Sequence, residues 1–119
     1  MNISIDVKNV NSEIHVNVKG EIDAYTAPKL RETLFPLSDQ DKVVMIVDLT
    51  DVSYMDSTGL GVFVGLFKNV RAHNGDFRII GLSERLHRLF EITGLADIIH
   101  IKSHAEGGAQ RMKHMSILK

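Results

Sequence analysis

The chain has no cysteine among its 119 residues, which excludes disulfides and every chemistry that needs a thiolate. That absence suits a reducing compartment. An excess of charge of either sign is missing too. With 14 basic and 15 acidic residues the formal net charge is -1, and nothing in that balance asks for nucleic acid or an anionic membrane. No run of lysine and arginine interleaved with aromatics marks a local basic surface. No stretch approaches the roughly 18 uninterrupted apolar residues of a membrane span. Neither a G-x-x-x-x-G-K-[ST] loop nor a G-x-G-x-x-G turn occurs, so no nucleotide site of the chain's own is expected. The histidines (His15, His73, His87, His100, His104 and His114) do not organise. The four-residue spacing from His100 to His104 crosses from strand to loop, and neither a metal nor a cofactor is expected.

What is present reads as an ordinary globular chain, 44% hydrophobic and 24% charged. Its length suits one domain with a real core, residues 1–119, and is short for two. The opening residues, Met1-Asn2-Ile3-Ser4-Ile5-Asp6, alternate like a strand and lack the basic and apolar regions of a signal peptide, so the expected location is cytoplasmic.

Ile3, Ile5 and Val7 alternate with polar residues, as do Ile14, Val16 and Val18, which predicts a hairpin with one wet face at a sheet edge. Gly20 is expected to end the second strand. Asp23 or Thr26 can cap a helix with Pro28 in its first turn, and Pro36 argues that this helix stops near Phe35. Val43 to Leu49, apolar and β-branched, predicts a central strand buried on both faces. From Leu60 to Val70 the pattern is helical, with Leu60, Phe63, Val64, Phe67 and Val70 as the inner stripe and Val62 and Leu66 as further apolar surface. Gly61 and Gly65 share one side of that helix and predict close approach to the sheet or a neighbour.

Phe77 to Ile80 predicts a short strand, and Ser83 caps a helix with Leu86, Leu89 and Phe90 inside and Gly94 closing it. Ile98 to Ile101 predicts a last strand. A weak helical pattern follows through Met112, Met115 and Leu118. The order β-β-α-β-α-β-α-β-α predicts an α/β fold: a mixed sheet with helices mainly on one face.

The chemistry gathers at Asp56-Ser57-Thr58-Gly59-Leu60-Gly61, between the strongest strand and the most apolar helix. A strand-to-helix corner is where a mostly parallel sheet displays function. In one reading Ser57, Thr58 or Asp56 only caps the helix. In the other Ser57 is a phosphate acceptor beside bared backbone, with Asp56 and Asp51 available to orient a hydroxyl or a partner's metal. A phosphoryl group there adds about 1.5 to 2 negative charges next to carboxylates and penalises association at a binding surface.

Asp23 has two readings as well: it caps the helix containing Pro28, or its loop lies beside the Ser57 corner and meets the same partner. Tyr25 and Tyr54 are amphipathic anchors there, or half-buried packing. Hydrolase readings fail. Ser57 lacks the first glycine of a G-x-S-x-G elbow, Thr58 interrupts an Asp-Ser-Gly turn, and no histidine stands in the stretch as a base. A phospho-acceptor Asp48 would need a carboxylate pair closing the first strand, and that strand leads instead into a hairpin.

Gly20-Glu21-Ile22-Asp23-Ala24 and the run from Asp48-Leu49-Thr50-Asp51 through Asp56-Ser57-Thr58-Gly59-Leu60-Gly61 resemble the bacterial anti-sigma factor antagonists of the STAS superfamily. The resemblance spans about residues 3–115. Tyr54-Met55 with Val62-Phe63-Val64 looks most like the general-stress sigma factor branch. It implies a single STAS-like domain, a mixed sheet with an N-terminal hairpin and about four helices. It implies binding in place of catalysis. The unphosphorylated antagonist captures an anti-sigma factor that is also a serine kinase with its own bound ATP, which frees the sigma factor. Phosphorylation of the antagonist releases it, and a PP2C-type phosphatase restores it.

By the motif match the acceptor is Ser57, and the expected contact set is Asp23, Tyr25, Asp56, Ser57, Thr58, Gly59, Gly61 and Val62. The other class of function compatible with this resemblance is a non-catalytic scaffold module that self-associates in a stress-signalling complex.

Overall fold

The computed structural model describes residues 2–97 and 99–103. Two alternating strands come first, β1 (Ile3–Val10) and β2 (Glu13–Ile22), joined by two residues. Asn11 and Ser12 both take positive φ, 51° and 71°, the tight-turn backbone whose twist matches that of the flanking strands. There follow α1 (Ala27–Ser38), β3 (Val44–Met55), α2 (Ser57–Ala72), β4 (Asp76–Leu82), α3 (Glu84–Ile92), a short 3-10 turn at Leu95–Asp97, and β5 (His100–Ser103). The helix expected after Ala105 lies outside the described residues.

The strands stand in the sheet in chain order, β1-β2-β3-β4-β5. β1 runs antiparallel to β2, and the other neighbours are parallel. Each crossover steps the same way across the sheet, and such crossovers are right-handed, so the three helices land on one face. That face buries Ile14, Val16, Val18, Met45, Val47, Leu49, Phe77 and Ile79 against Leu30, Leu34, Leu60, Phe63, Leu66, Val70, Leu86 and Phe90. Phe63 is the hub, with ring centroids 6.5 Å from Phe77 and 6.4 Å from Phe90. The other face is uncovered by the described residues. Val44, Ile46 and Ile80 are only half-buried there, so the central strand is buried on one face and not on both.

Three other expectations are corrected. Gly20 does not end β2; it stays inside the strand at φ 106°, where an added Cβ would collide with the Asn2 carbonyl oxygen. Pro36 does not stop α1, because only the last turn remains to be closed. The N–H that Pro36 lacks would have met the carbonyl of exposed Glu32, which solvent can reach, and further on Ser38 Oγ donates to the Phe35 carbonyl at 2.6 Å. On α2 the buried stripe is Leu60, Val62, Phe63, Leu66 and Val70, while Val64 and Phe67 are half-buried. A Cβ at Gly65 would stand 2.8 Å from Phe35 Cζ, so α1 approaches α2 closely there, while Gly61 has open space. Asn69 Nδ2 then ties the two helices by donating to Ser38 Oγ at 2.6 Å and Asp39 Oδ1 at 2.7 Å.

β3 carries the feature that shapes the site. It advances from Asp48 to Asp51 while β2 advances from Asn17 to Lys19, and from Val52 to Tyr54 while β2 advances from Gly20 to Glu21. Each step inserts one extra residue, a bulge that bends and twists the strand. Burial accordingly recurs every third residue at Leu49, Val52 and Met55. β4 pairs with β3 only as far as Asp48, so among the described residues the bulged arm from Leu49 to Met55 is paired as a strand with β2 alone.

Candidate functional site

At the end of that arm Met55 pairs with Ile22, and the Asp56 N–H donates to the Ile22 carbonyl at 3.2 Å. This bond sets the Asp23 loop directly beside the start of α2. Asp56 is extended (φ -113°, ψ -171°) and is the N-cap: its Oδ1 accepts from Thr58 N at 2.9 Å and Gly59 N at 3.4 Å. A carboxylate is well placed there, since it meets both the unpaired N–H groups and the positive end of the helix. The cap therefore belongs to Asp56, and Ser57 is the first helical residue. Ser57 is exposed, and no hydrogen bond among the described residues engages its hydroxyl. Thr58 is exposed beside it. Gly59 is buried, and a Cβ there would collide with Ile22 and come within 2.9 Å of Met55 Cγ. Gly59 thus lets the helix start press onto the ends of β2 and β3.

Asp23 is 7% exposed and turned inward on its own loop. Its Oδ1 accepts from Tyr25 N at 2.9 Å and from Thr26 N at 3.1 Å. The Thr26 hydroxyl accepts from Asp23 N at 2.9 Å and donates to the Glu21 carbonyl at 2.8 Å. This closed turn leads into α1, whose first turn accommodates Pro28, and it holds Tyr25 outward with 87% of its surface exposed. Tyr54 is 45% exposed. The structure therefore brings Asp23, Asp56, Ser57, Thr58 and Gly59 to one corner with Tyr25 on the adjoining turn. Gly61 lies exposed one helical turn further on.

Val62 does not join them. It is fully buried in the core, because the apolar surplus of α2 turns inward, and the outer face of α2 presents Gly61, Lys68 and Arg71. Thr26 was not anticipated as the partner of Asp23. The Asp-x-x-Thr spacing, typical of a side chain closing a turn on its own backbone, is the signal that marks it.

Among the described residues no three His, Cys, Asp or Glu side chains gather to hold a metal ion. A shallow groove of about 140 Å³ between Lys8, His15, Asp48 and Ile80 lies on the uncovered sheet face, opposite α2. No helix among the described residues is long and apolar enough to cross a membrane.

A one-sided mixed sheet whose bulged central strand presents an unengaged serine at a helix start defines a small α/β domain. The chain belongs to the STAS domain family, which it matches over residues 4–107. It is 58% identical over 110 residues to the anti-sigma-B factor antagonist of Bacillus subtilis (strain 168), covering 92% of this chain and 100% of that protein. It is 57% identical over 104 residues to the anti-sigma-B factor antagonist of Listeria monocytogenes, covering 87% of this chain and 91% of that protein. Among solved structures, an anti-sigma factor antagonist from Mycobacterium paratuberculosis superposes with a TM-score of 0.76 at 24% identity, covering 85% of this chain and 86% of that one. That likeness shows the fold.

Proposed function

We propose that this chain is a cytoplasmic anti-sigma factor antagonist switched by phosphorylation of Ser57. It is a binding module and not an enzyme. Unphosphorylated, it holds an anti-sigma factor that is also a serine kinase and so frees a sigma factor. The kinase passes the γ-phosphoryl group of its own ATP to Ser57 Oγ: the new O–P bond forms, ADP leaves, and the hydroxyl proton passes to the kinase. A PP2C-type phosphatase hydrolyses the ester and restores binding. The observation that carries this reading is the division of labour at the corner. Asp56 caps α2, and the neighbouring hydroxyl of Ser57 is exposed and unengaged. The anti-sigma-B antagonist relatives support the partner class.

The contact surface is Tyr25, Thr58, Gly61 and the Ser57 corner. Tyr25 is the anchor, and Gly61 lets a partner approach the helix backbone. The phosphoryl group adds about two negative charges beside Asp56, and a loss of about 3 kcal/mol in binding lowers affinity roughly a hundredfold. The test is incubation with ATP and the candidate anti-sigma kinase, followed by intact-mass measurement, peptide mapping and sizing chromatography. One phosphoryl group on Ser57 with loss of the complex is expected, together with constitutive binding by Ser57→Ala. Full phosphate-dependent release of Ser57→Ala overturns the assignment. Tyr25→Ala is expected to weaken the complex at least tenfold with unchanged thermal stability, because the side chain is almost wholly outside the fold.

A further inference from the structure

We infer that the outer edge of β1 pairs with the same edge of a second copy, joining two five-stranded sheets into one. β1 is the first strand of the sheet, and among the described residues nothing pairs with its outer side. Two observations fix which of its backbone groups are free. Glu21 N donates to Asn2 O at 3.0 Å, and Val10 stands opposite Glu13 across the two-residue turn. In an antiparallel ladder hydrogen-bonded pairs alternate, so Asn2, Ser4, Asp6, Lys8 and Val10 point their N–H and C=O groups at β2. Ile3, Ile5, Val7 and Asn9 point theirs outward.

Edges of this kind are normally blunted by proline, a bulge, or charges that repel a second copy. β1 has no proline, and its register against β2 runs unbroken from Ile3 to Val10. Its two charges are of opposite sign and flank Val7 symmetrically. That symmetry selects the occupant and the register. In a two-fold antiparallel pairing centred on Val7, Asp6 of each copy faces Lys8 of the other, Val7 meets Val7, and Ile5 meets Asn9. Centring on Asp6 would oppose the two Asp6 carboxylates, and centring on Ile5 would leave Lys8 opposite Asn2. The Val7 register forms about six main-chain hydrogen bonds from groups that no described residue engages, plus two exposed ion pairs.

The two-fold axis stands perpendicular to the sheet, so both helix layers lie on the same face and the two Ser57 corners point to opposite ends. On the reading of Ser57 given above, the pair is a bivalent antagonist. An edge alone buries less surface than a standard stable interface, so the dimer is weak and concentration-dependent.

The test is analytical ultracentrifugation of the full chain from micromolar to millimolar concentration. Wild type is expected to pass from monomer towards dimer. Val7→Pro removes an outward N–H that no described residue engages, and is expected to weaken self-association at least tenfold while keeping a native far-UV spectrum. Asp6→Lys, at an exposed position, is expected to do the same by opposing like charges. Asp6→Lys combined with Lys8→Asp restores the pairing. A wild-type chain that stays monomeric across the range overturns the inference. So does a dimer that survives Asp6→Lys unchanged, which places the contact elsewhere. Neither outcome touches Ser57 phosphorylation, which is read separately by mass.

Discussion

Replacing Asp56 separates its observed role as the cap of α2 from its proposed role as a contact. Its carboxylate satisfies Thr58 N and Gly59 N at the start of a 16-residue helix, so Asp56→Ala strands two donors and removes a negative charge from the positive helix end. Loss of a cap costs about 1 kcal/mol, and loss of the charge adds a few tenths. For a domain of this size that is a fall of about 3–6 °C in Tm. Asp56→Asn keeps an oxygen able to accept the same two bonds and gives up only the charge, so its expected cost is about 0.5 kcal/mol or less. Urea unfolding followed by far-UV circular dichroism resolves the pair, provided the m-values match. Asp56→Asn as unstable as Asp56→Ala, or Asp56→Ala indistinguishable from wild type, would refute the capping argument. Weakened partner binding by a stable Asp56→Asn would assign the charge to the interface.

Three further outcomes rest on other contacts. Gly59→Ala is expected to lose about 1–3 kcal/mol despite the better helix former, because the Cβ meets buried Ile22 and Met55; Gly61→Ala, with open space around it, is expected to gain up to about 1 kcal/mol. Phe63→Ala empties the hub between Phe77 and Phe90 and should cost about 3–5 kcal/mol, read as a drop in the urea midpoint at constant m. Asn69→Ala breaks the bonds to Ser38 and Asp39 that tie α2 to α1, at about 1–2 kcal/mol in the same assay.

Features set by short-range chemistry were legible in the chain. The hairpin follows from two alternating runs. The Ser83 cap accepts from Leu86 N at 3.2 Å as the helix pattern predicts, and Gly94 takes positive φ where the helix stops. The start of α2 could be placed from Asp56 to Gly59, although which of three polar residues caps it needed the structure. The rest depended on distant partners. The two inserted residues of β3 have meaning only against β2, which is why Val43 to Leu49 read as the whole strand and Thr50 to Met55 did not. A helix apolar on most sides has no preferred inner stripe of its own. The phase that buries Val62 and Leu66 is set where Phe35 of α1 crosses Gly65. Asp23 read equally well as a cap or as a contact because only its bonds to Tyr25 and Thr26 show that it serves the loop.

The strand order has a consequence for how the chain is made. Because β1 to β5 stand side by side in the order of synthesis, no strand must be inserted between two others already in place. Each helix-and-strand unit adds to the edge left by the one before it, and loop closure never spans more than a neighbouring unit. During translation the hairpin can dock α1 and β3 before β4 has left the ribosome, so domain growth is vectorial. The growing edge moves steadily away from β1, and the Ser57 corner is built once β3 has zipped along β2.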